Sequence, residues 1–275
     1  MKDYCLLVNS CDKYSDVWPL FLYALDEYFD TDIKVYINTE TINHIDYSFD
    51  KLNINFLNFN EGNWGSRLKN SLNSIQEKYV INLFDDYILE SEVDLTKINE
   101  FISILESMDK LAAIYLNAVS LRYHEDIDNK KLRILRDLCE YKVNSAPAIW
   151  NRKFLIELTH DLDTPWSWEV FGTYRTFRTD FKFLSVNSVT NNIFNYDFKK
   201  GGAIYRGKWV ESVVSEKIKK YDLKIDLHYR GLSAESSHES RKLLWKLKFI
   251  FLGFKTNKTN ALWGFYFFFL NKLFK

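Results

Sequence analysis

The residues best placed to do chemistry are two adjacent carboxylates, Asp85 and Asp86, at the end of the run Tyr79-Val80-Ile81-Asn82-Leu83-Phe84. Side by side, two carboxylates repel unless a cation, a hydrogen-bond network or water offsets their charge. A divalent metal carrying a diphosphate would do so, since Mg2+ and Mn2+ favour carboxylate, phosphate and water oxygens. The same pair also suits a solvated strand-to-loop corner, where Asp is common. Residues 80–84 are short, β-branched and aromatic, which predicts a buried central strand. Carboxylates at its end would sit on the sheet edge where open α/β folds take ligands.

The elements around that strand alternate. Residues 4–10 predict a first strand, followed by a polar turn and a helix with Val17, Phe21, Ala24, Leu25 and Tyr28 at helical spacing. Ser15 or Asp16 would cap it, and Pro19 falls in its first turn, where a missing N–H costs little. Residues 33–38 and 54–57 predict the next strands. Ser66 would cap a helix with Leu68, Leu72 and Ile75 inside, leading into the central strand. Strand–helix alternation implies a mostly parallel sheet with right-handed crossovers. Beyond Asp86, residues 94–108 predict a helix and 111–116 a strand. Residues 124–131 are charged and predict an exposed loop. Asn151 would cap a helix holding Phe154, Leu155 and Leu158. Pro165 opens another helix, residues 183–189 and 203–205 suit late strands, and 210–221 suit a basic amphipathic helix.

A chain of 275 residues with 47% hydrophobic content makes one large domain or one domain with an appendage. Lys plus Arg equals Asp plus Glu at 37 each, so no global field for nucleic acid is indicated. Cys5, Cys11 and Cys139 are odd in number without metal spacing, which suits a reducing cytoplasm, and Cys5 lies in a run expected to be buried. Met1-Lys2-Asp3 leads straight into strand residues, so a cytoplasmic location is expected. Residues 241–275 change character, with Arg241, Lys242, Lys246, Lys248, Lys255, Lys258, Lys272 and Lys275 but no acid. Their apolar runs are too short to span a bilayer, which needs about 20 residues. Basic residues beside aromatics suit a segment lying on an anionic membrane surface. A terminal helical pair packed on the domain, lysines outward, is the other arrangement this composition allows. The chain therefore divides into residues 1–240 and a basic-aromatic segment, 241–275.

Four stretches together resemble a bacterial family-2-like glycosyltransferase of the GT-A type, of the kind found in capsule and O-antigen clusters. They are Ser10-Cys11-Asp12-Lys13-Tyr14, Asn63-Trp64-Gly65-Ser66-Arg67-Leu68, the segment containing Asp85-Asp86-Tyr87, and Pro165-Trp166-Ser167-Trp168-Glu169-Val170-Phe171-Gly172. The resemblance covers roughly residues 4–209. It implies a Rossmann-like α/β fold, with a mixed, mainly parallel sheet flanked by helices. It also implies transfer of a sugar from a nucleotide-sugar, UDP-sugar by expectation, to a glycan or polyprenyl-diphosphate-linked acceptor at the inner membrane surface.

Carried over residue by residue, Ser10, Asp12 and Tyr14 would lie near base and ribose, with Trp64 lining the pocket and Arg67 facing the diphosphate. Asp85-Asp86 resembles the family's DxD element, except that Tyr87 occupies the usual third acidic position. Asp86 would hold Mn2+ or Mg2+, and Asp85 would reach ribose or a metal-bound water. Glu169 resembles the catalytic base of an inverting transfer, with Asp163 a weaker candidate. Trp166 and Trp168 would offer faces to the acceptor sugar. Arg206 and Lys208 resemble a mobile segment that closes over the diphosphate, and His228 is a candidate further metal ligand. A retaining transferase would share the donor site but need no Glu169 base. A nucleotidyltransferase would carry a Gly-rich basic loop after the first strand, and Cys11 to Val17 has no Gly. A noncatalytic glycan-binding protein would use the aromatic surface alone.

Overall fold

The computed structural model describes residues 3–30, 32–119, 124–127, 129–197, 201–233 and 243–273. Strands β1 (Tyr4–Asn9), β2 (Ile33–Thr39), β3 (Leu52–Asn58) and β4 (Tyr79–Phe84) alternate with helices α1 (Trp18–Tyr28) and α2 (Trp64–Ser74). Next come α3 (Leu95–Ser107), β5 (Leu111–Tyr115), β6 (His124–Asp126), β7 (Leu132–Leu135) and β8 (Ala148–Asn151). Helix α4 (Arg152–Glu157) follows, then α5 (Pro165–Ser167), a π-helical turn over Trp168–Gly172, and α6 (Thr173–Arg175). The chain continues through β9 (Lys182–Val186), the hairpin β10 (Ile204–Tyr205) and β11 (Lys208–Trp209), then α7 (Glu211–Lys220) and α8 (Leu227–Arg230). Two helices, α9 (Leu243–Asn257) and α10 (Thr259–Leu273), end the described chain.

Nine strands form one sheet in the order β3-β2-β1-β4-β8-β5-β9-β7-β6. From the pairings, β1 to β6 and β9 all run one way except for β8 and β7, which oppose them. The sheet is thus mixed and mainly parallel in direction, flanked by helices on both faces. Alternation along each inner strand supplies both faces: Tyr4, Leu6 and Val8 of β1 enter one core with α1, α3 and α7, while Cys5 and Leu7 enter the other with α2 and α4. β4 does the same, sending Tyr79, Ile81 and Leu83 one way and Val80 the other. Both faces of this strand are therefore dry, as its mostly apolar run requires, and its one amide side chain, Asn82, accepts from Asn9 Nδ2 at 2.7 Å.

Three local expectations change. α2 begins at Trp64 with Asn63 in the cap position, and Ser66 donates instead to the Asp161 carbonyl, 3.0 Å away. α1 begins after Val17, and neither Ser15 nor Asp16 is its cap residue. Within the segment read as a charged loop, residues 124–126 form β6, paired antiparallel to β7. Three strands, β7, β8 and β11, escaped the sequence altogether. β8 is short, follows Pro147, and inserts antiparallel between β4 and β5.

Cys5 and Cys139 are buried free thiols, and Cys11 is half-buried. Among the described residues, no helix is long and apolar enough to cross a membrane.

Candidate active site

Parallel pairing of β1 with β4 ends at Asn9 opposite Phe84, so Ser10 and Asp85 leave the sheet side by side. Ser10 Oγ donates to Asp85 Oδ2 and accepts from Trp18 Nε1 at 2.7 Å. Desolvation, reinforced by the charge of Asp86, pushes the buried Asp85 carboxyl well above its ordinary range. Desolvation also raises Asp86, to about 7. Among the described residues no cation forms an ion pair with either carboxylate. Arg67 pairs with Glu40, and Arg230 pairs with Asp16. The site thus holds two desolvated carboxyl groups without an ion-pair partner among the described residues, at the carboxyl edge of the parallel strands.

Around them the loops are tied down. The Asp12 carboxylate accepts from the backbone N–H groups of Glu40, Thr41 and Ile42 at 3.1–3.2 Å, and from the Thr41 hydroxyl at 2.5 Å. Desolvation works against its charge, but these hydrogen bonds outweigh it and hold its pKa below the usual value. Asp12 therefore fixes the loop after β2, and its oxygens are spent there instead of facing a ribose. Arg67 is buried under the same corner, with Nη2 3.5 Å from the Ser10 carbonyl. Glu40, which holds it, also accepts from the Asp12 N–H at 2.6 Å. Tyr14 lies within reach of the carboxylates: desolvation, with Asp86 and Asp85 adding, raises its hydroxyl to about 12.

Arg230 was not foreseen. It comes from α8, far along the chain, and sits 4.5 Å over the Tyr14 ring while bonding Asp16 through Nε at 2.7 Å. No local motif marks it.

On the other side of Asp86, the β10–β11 hairpin is seated on the carboxylate pair's own backbone. The Ala203 N–H donates to the Asp86 carbonyl at 2.7 Å, and Val210 returns a bond to Ala203 at 2.9 Å. Gly202 makes this approach with φ +107°, and a Cβ there would stand 2.5 Å from the Asp86 oxygen. Only glycine fits. Arg206, at φ 53°, turns the hairpin, and both it and Lys208 are exposed near the tip, with Arg206 5.5 Å over the Tyr205 ring.

Glu169 lies on the π-helical turn, a distortion often found at functional sites. Its Oε1 accepts from the Ser145 N–H at 2.8 Å, and the Ser145 hydroxyl lies 2.9 Å from Tyr87 Oη. Tyr87 follows Asp86 directly and stacks on Tyr196, ring centroids 4.4 Å apart. Two side chains thus link Asp86 to Glu169, and Tyr196 feels the charge of both. Desolvation raises the Glu169 carboxyl, opposed by its bonds to Ser145. Ser145 itself carried no sequence signal; Tyr87 had one, its place after the aspartates.

The remaining candidates do not join the site as expected. Trp168 is fully buried, packed between Trp150 and Trp64 at 5.8 and 5.7 Å, so it shows no face to an acceptor. Trp64 is likewise core, stacked on Phe84 at 6.3 Å. Trp166 is at the surface, but Trp245 and Phe249 of α9 cover its ring at 4.6 and 4.3 Å. Asp163 is buried against Arg175 and accepts from the His160 N–H at 2.9 Å, a structural pair. His228 is exposed on α8, and among the described residues no three His, Cys, Asp or Glu converge on a metal position.

No family model matches the chain, and neither does any curated protein. Among solved structures it is similar to Staphylococcus aureus TarS 1–349 in complex with UDP, with 11% identity and TM-score 0.42 over 68% of this chain and 61% of that one. It is also similar to a cytidylyltransferase from Leptospira borgpetersenii, with 10% identity and TM-score 0.41 over 71% and 80%. A third is the glycosyltransferase GlyE of Streptococcus pneumoniae, with 12% identity and TM-score 0.36 over 56% and 36%. The chain spans under two thirds of the length of the TarS structure. Glycosyl- and nucleotidyltransferases both occur among these neighbours, so the likeness does not choose an activity.

Proposed function

We propose that the protein transfers a sugar from a nucleotide-sugar donor, with UDP as the nucleotide, to a glycan or lipid-linked acceptor, with inversion at the anomeric carbon. The observation that carries this reading is the Asp85–Asp86 pair at the end of β4, linked through Tyr87 and Ser145 to a desolvated Glu169. The donor set is hard oxygen and lacks a countercharge, which suits Mg2+ or Mn2+. Two carboxylates are fewer than a cation needs, so diphosphate and water oxygens would complete its shell. When bound, the metal would offset charge on the departing nucleoside diphosphate.

The chain's own residues supply the rest. Asp86 and Asp85 hold the cation side of the donor, and Arg206 and Lys208 on the hairpin offer exposed charge to the phosphates. Tyr14 and Arg230, stacked on each other, lie near Asp85. Glu169 takes the proton of the acceptor hydroxyl as that oxygen attacks, and the N–H of Ser145 holds the carboxylate in one orientation. A base must be ionised to act. Because desolvation raises Glu169, activity should climb with pH through a midpoint above the ordinary carboxylate value of about 4.3. The buried positions of Trp64 and Trp168 weigh against a glycan-binding surface built on those rings.

Capsule or O-antigen synthesis is the proposed setting. An acceptor on a polyprenyl diphosphate would place the enzyme on the inner face of the cytoplasmic membrane, consistent with its basic, aromatic C-terminal segment. Turnover of UDP-sugars on a lipid-diphosphate acceptor tests the reading. Glu169→Gln should lower kcat by about 10²–10⁴ with donor affinity intact. Full activity in that variant would remove the base, and with it the inverting assignment.

A further inference from the structure

Helix α9 has two apolar faces. One is turned inward: Phe249 stacks on Trp166 at 4.3 Å and on Phe171 at 4.6 Å, and Gly253 is so close that a Cβ would lie 2.5 Å from the Phe171 ring. On α10, Gly264 makes the same approach to Tyr174. Trp166, Phe171 and Tyr174 belong to residues 165–175, the segment that carries Glu169. The hairpin therefore grips that segment through two glycine notches.

The opposite face is bare. Leu244, Leu247 and Phe251 recur at steps of three and four, so they form one stripe, and Phe251 is 71% exposed; Phe254 continues the line but packs its ring on Phe265 of α10, centroids 5.4 Å apart. At about 100° per residue, Lys248 and Lys255 fall on one flank of that stripe and Lys246 on the other. All three lysines are exposed. α10 adds Trp263 and Tyr266, each about half exposed, with Arg178 5.2 Å over the Trp263 ring. An apolar stripe flanked by lysines, with Trp and Tyr alongside, is the layout of a helix lying in a lipid interface. Residues 241–275 contain no acid, so a second copy docking on this face would set lysines against lysines. An anionic leaflet supplies the missing complement.

We propose that α9 and α10 form a two-faced brace: the outward face seats in an anionic lipid surface while the inward face fixes residues 165–175. The lipid contact stands independently of the activity; only the consequence for Glu169 rests on the transferase reading. The brace places the base beside the bilayer that would deliver a lipid-borne acceptor, and it makes the order of residues 165–175 depend on the membrane.

The test uses the full chain and phosphatidylcholine vesicles with or without about 30 mol % phosphatidylglycerol. Wild type should co-sediment with the anionic vesicles at least about ten-fold better than with neutral ones, with salt weakening the binding. A Leu244→Gln, Leu247→Gln, Phe251→Gln variant should lose that binding at least about ten-fold with an unchanged circular dichroism spectrum, because all three side chains already face water. Amide exchange of residues 165–175 should slow when vesicles are added to wild type and not to the variant. Equal binding to both vesicle types, or retained binding by the variant, overturns the lipid contact. Light scattering that shows a wild-type dimer made monomeric by the three substitutions assigns the face to a second copy instead. Unchanged exchange in vesicle-bound wild type overturns the brace. None of these readouts involves nucleotide or turnover, so their failure and that of the transferase reading are separable.

Discussion

Replacing Asp86 with Asn should make the protein more stable while weakening the proposed donor site. Desolvation carries the Asp86 carboxyl from 3.8 to about 7. Folded protein therefore holds a proton there that unfolded protein releases between those values. A carboxylate raised in this way leaves stability intact below the unfolded pKa and erodes it as pH climbs toward the folded one. A shift of about three units at about 1.4 kcal/mol each gives about 4 kcal/mol lost by pH 8. Asp86 keeps some contact with solvent, which screens the penalty, so about 2 kcal/mol is the working figure. Asn is nearly isosteric and does not titrate. Urea unfolding of Asp86→Asn and wild type from pH 4 to pH 8, both without metal, measures the difference. The curves should coincide near pH 4 and separate steadily, the variant becoming more stable. A variant less stable than wild type at pH 8, or a gap independent of pH, would refute the claim that this carboxylate is held without a countercharge.

Two other substitutions probe the supports of the site. Gly202→Ala forces a side chain into the Asp86 carbonyl at φ +107°, which should cost about 1–3 kcal/mol and weaken donor binding by displacing the hairpin; a melting point and affinity equal to wild type would contradict it. Trp168→Ala should destabilise by about 3–5 kcal/mol, since the ring is fully buried, and at a temperature where the variant is folded its acceptor KM should stay near wild type, whereas a raised KM alone would return Trp168 to the acceptor site.

The legible parts of the chain were those governed by local periodicity. β1 and β4 announced themselves as apolar runs and α3 by its spacing, while its cap, the Asp94 side chain, showed only in the structure. Asp85 and Asp86 followed because a strand end has only one place to go in a parallel sheet. What stayed hidden depends on partners distant in sequence. β8 is four residues whose identity as a strand comes from pairing with β4 and β5, not from its own pattern. Trp168 and Trp166 sit two residues apart with the same composition around them, yet one is core and the other is capped by rings about 80 residues further on. Asp12 looked free because the loop that occupies it lies about 30 residues away. Arg230 reached the site through a short helix with no motif, and only packing against Tyr14 identified it.

The most direct test of the central claim is binding of a panel of nucleoside diphosphates, with and without Mn2+, to wild type and Asp86→Ala. Tight, Mn2+-dependent binding of UDP that Asp86→Ala abolishes is the predicted result. Folded wild type that binds no nucleoside diphosphate under any of these conditions would contradict the donor site and the transferase built on it.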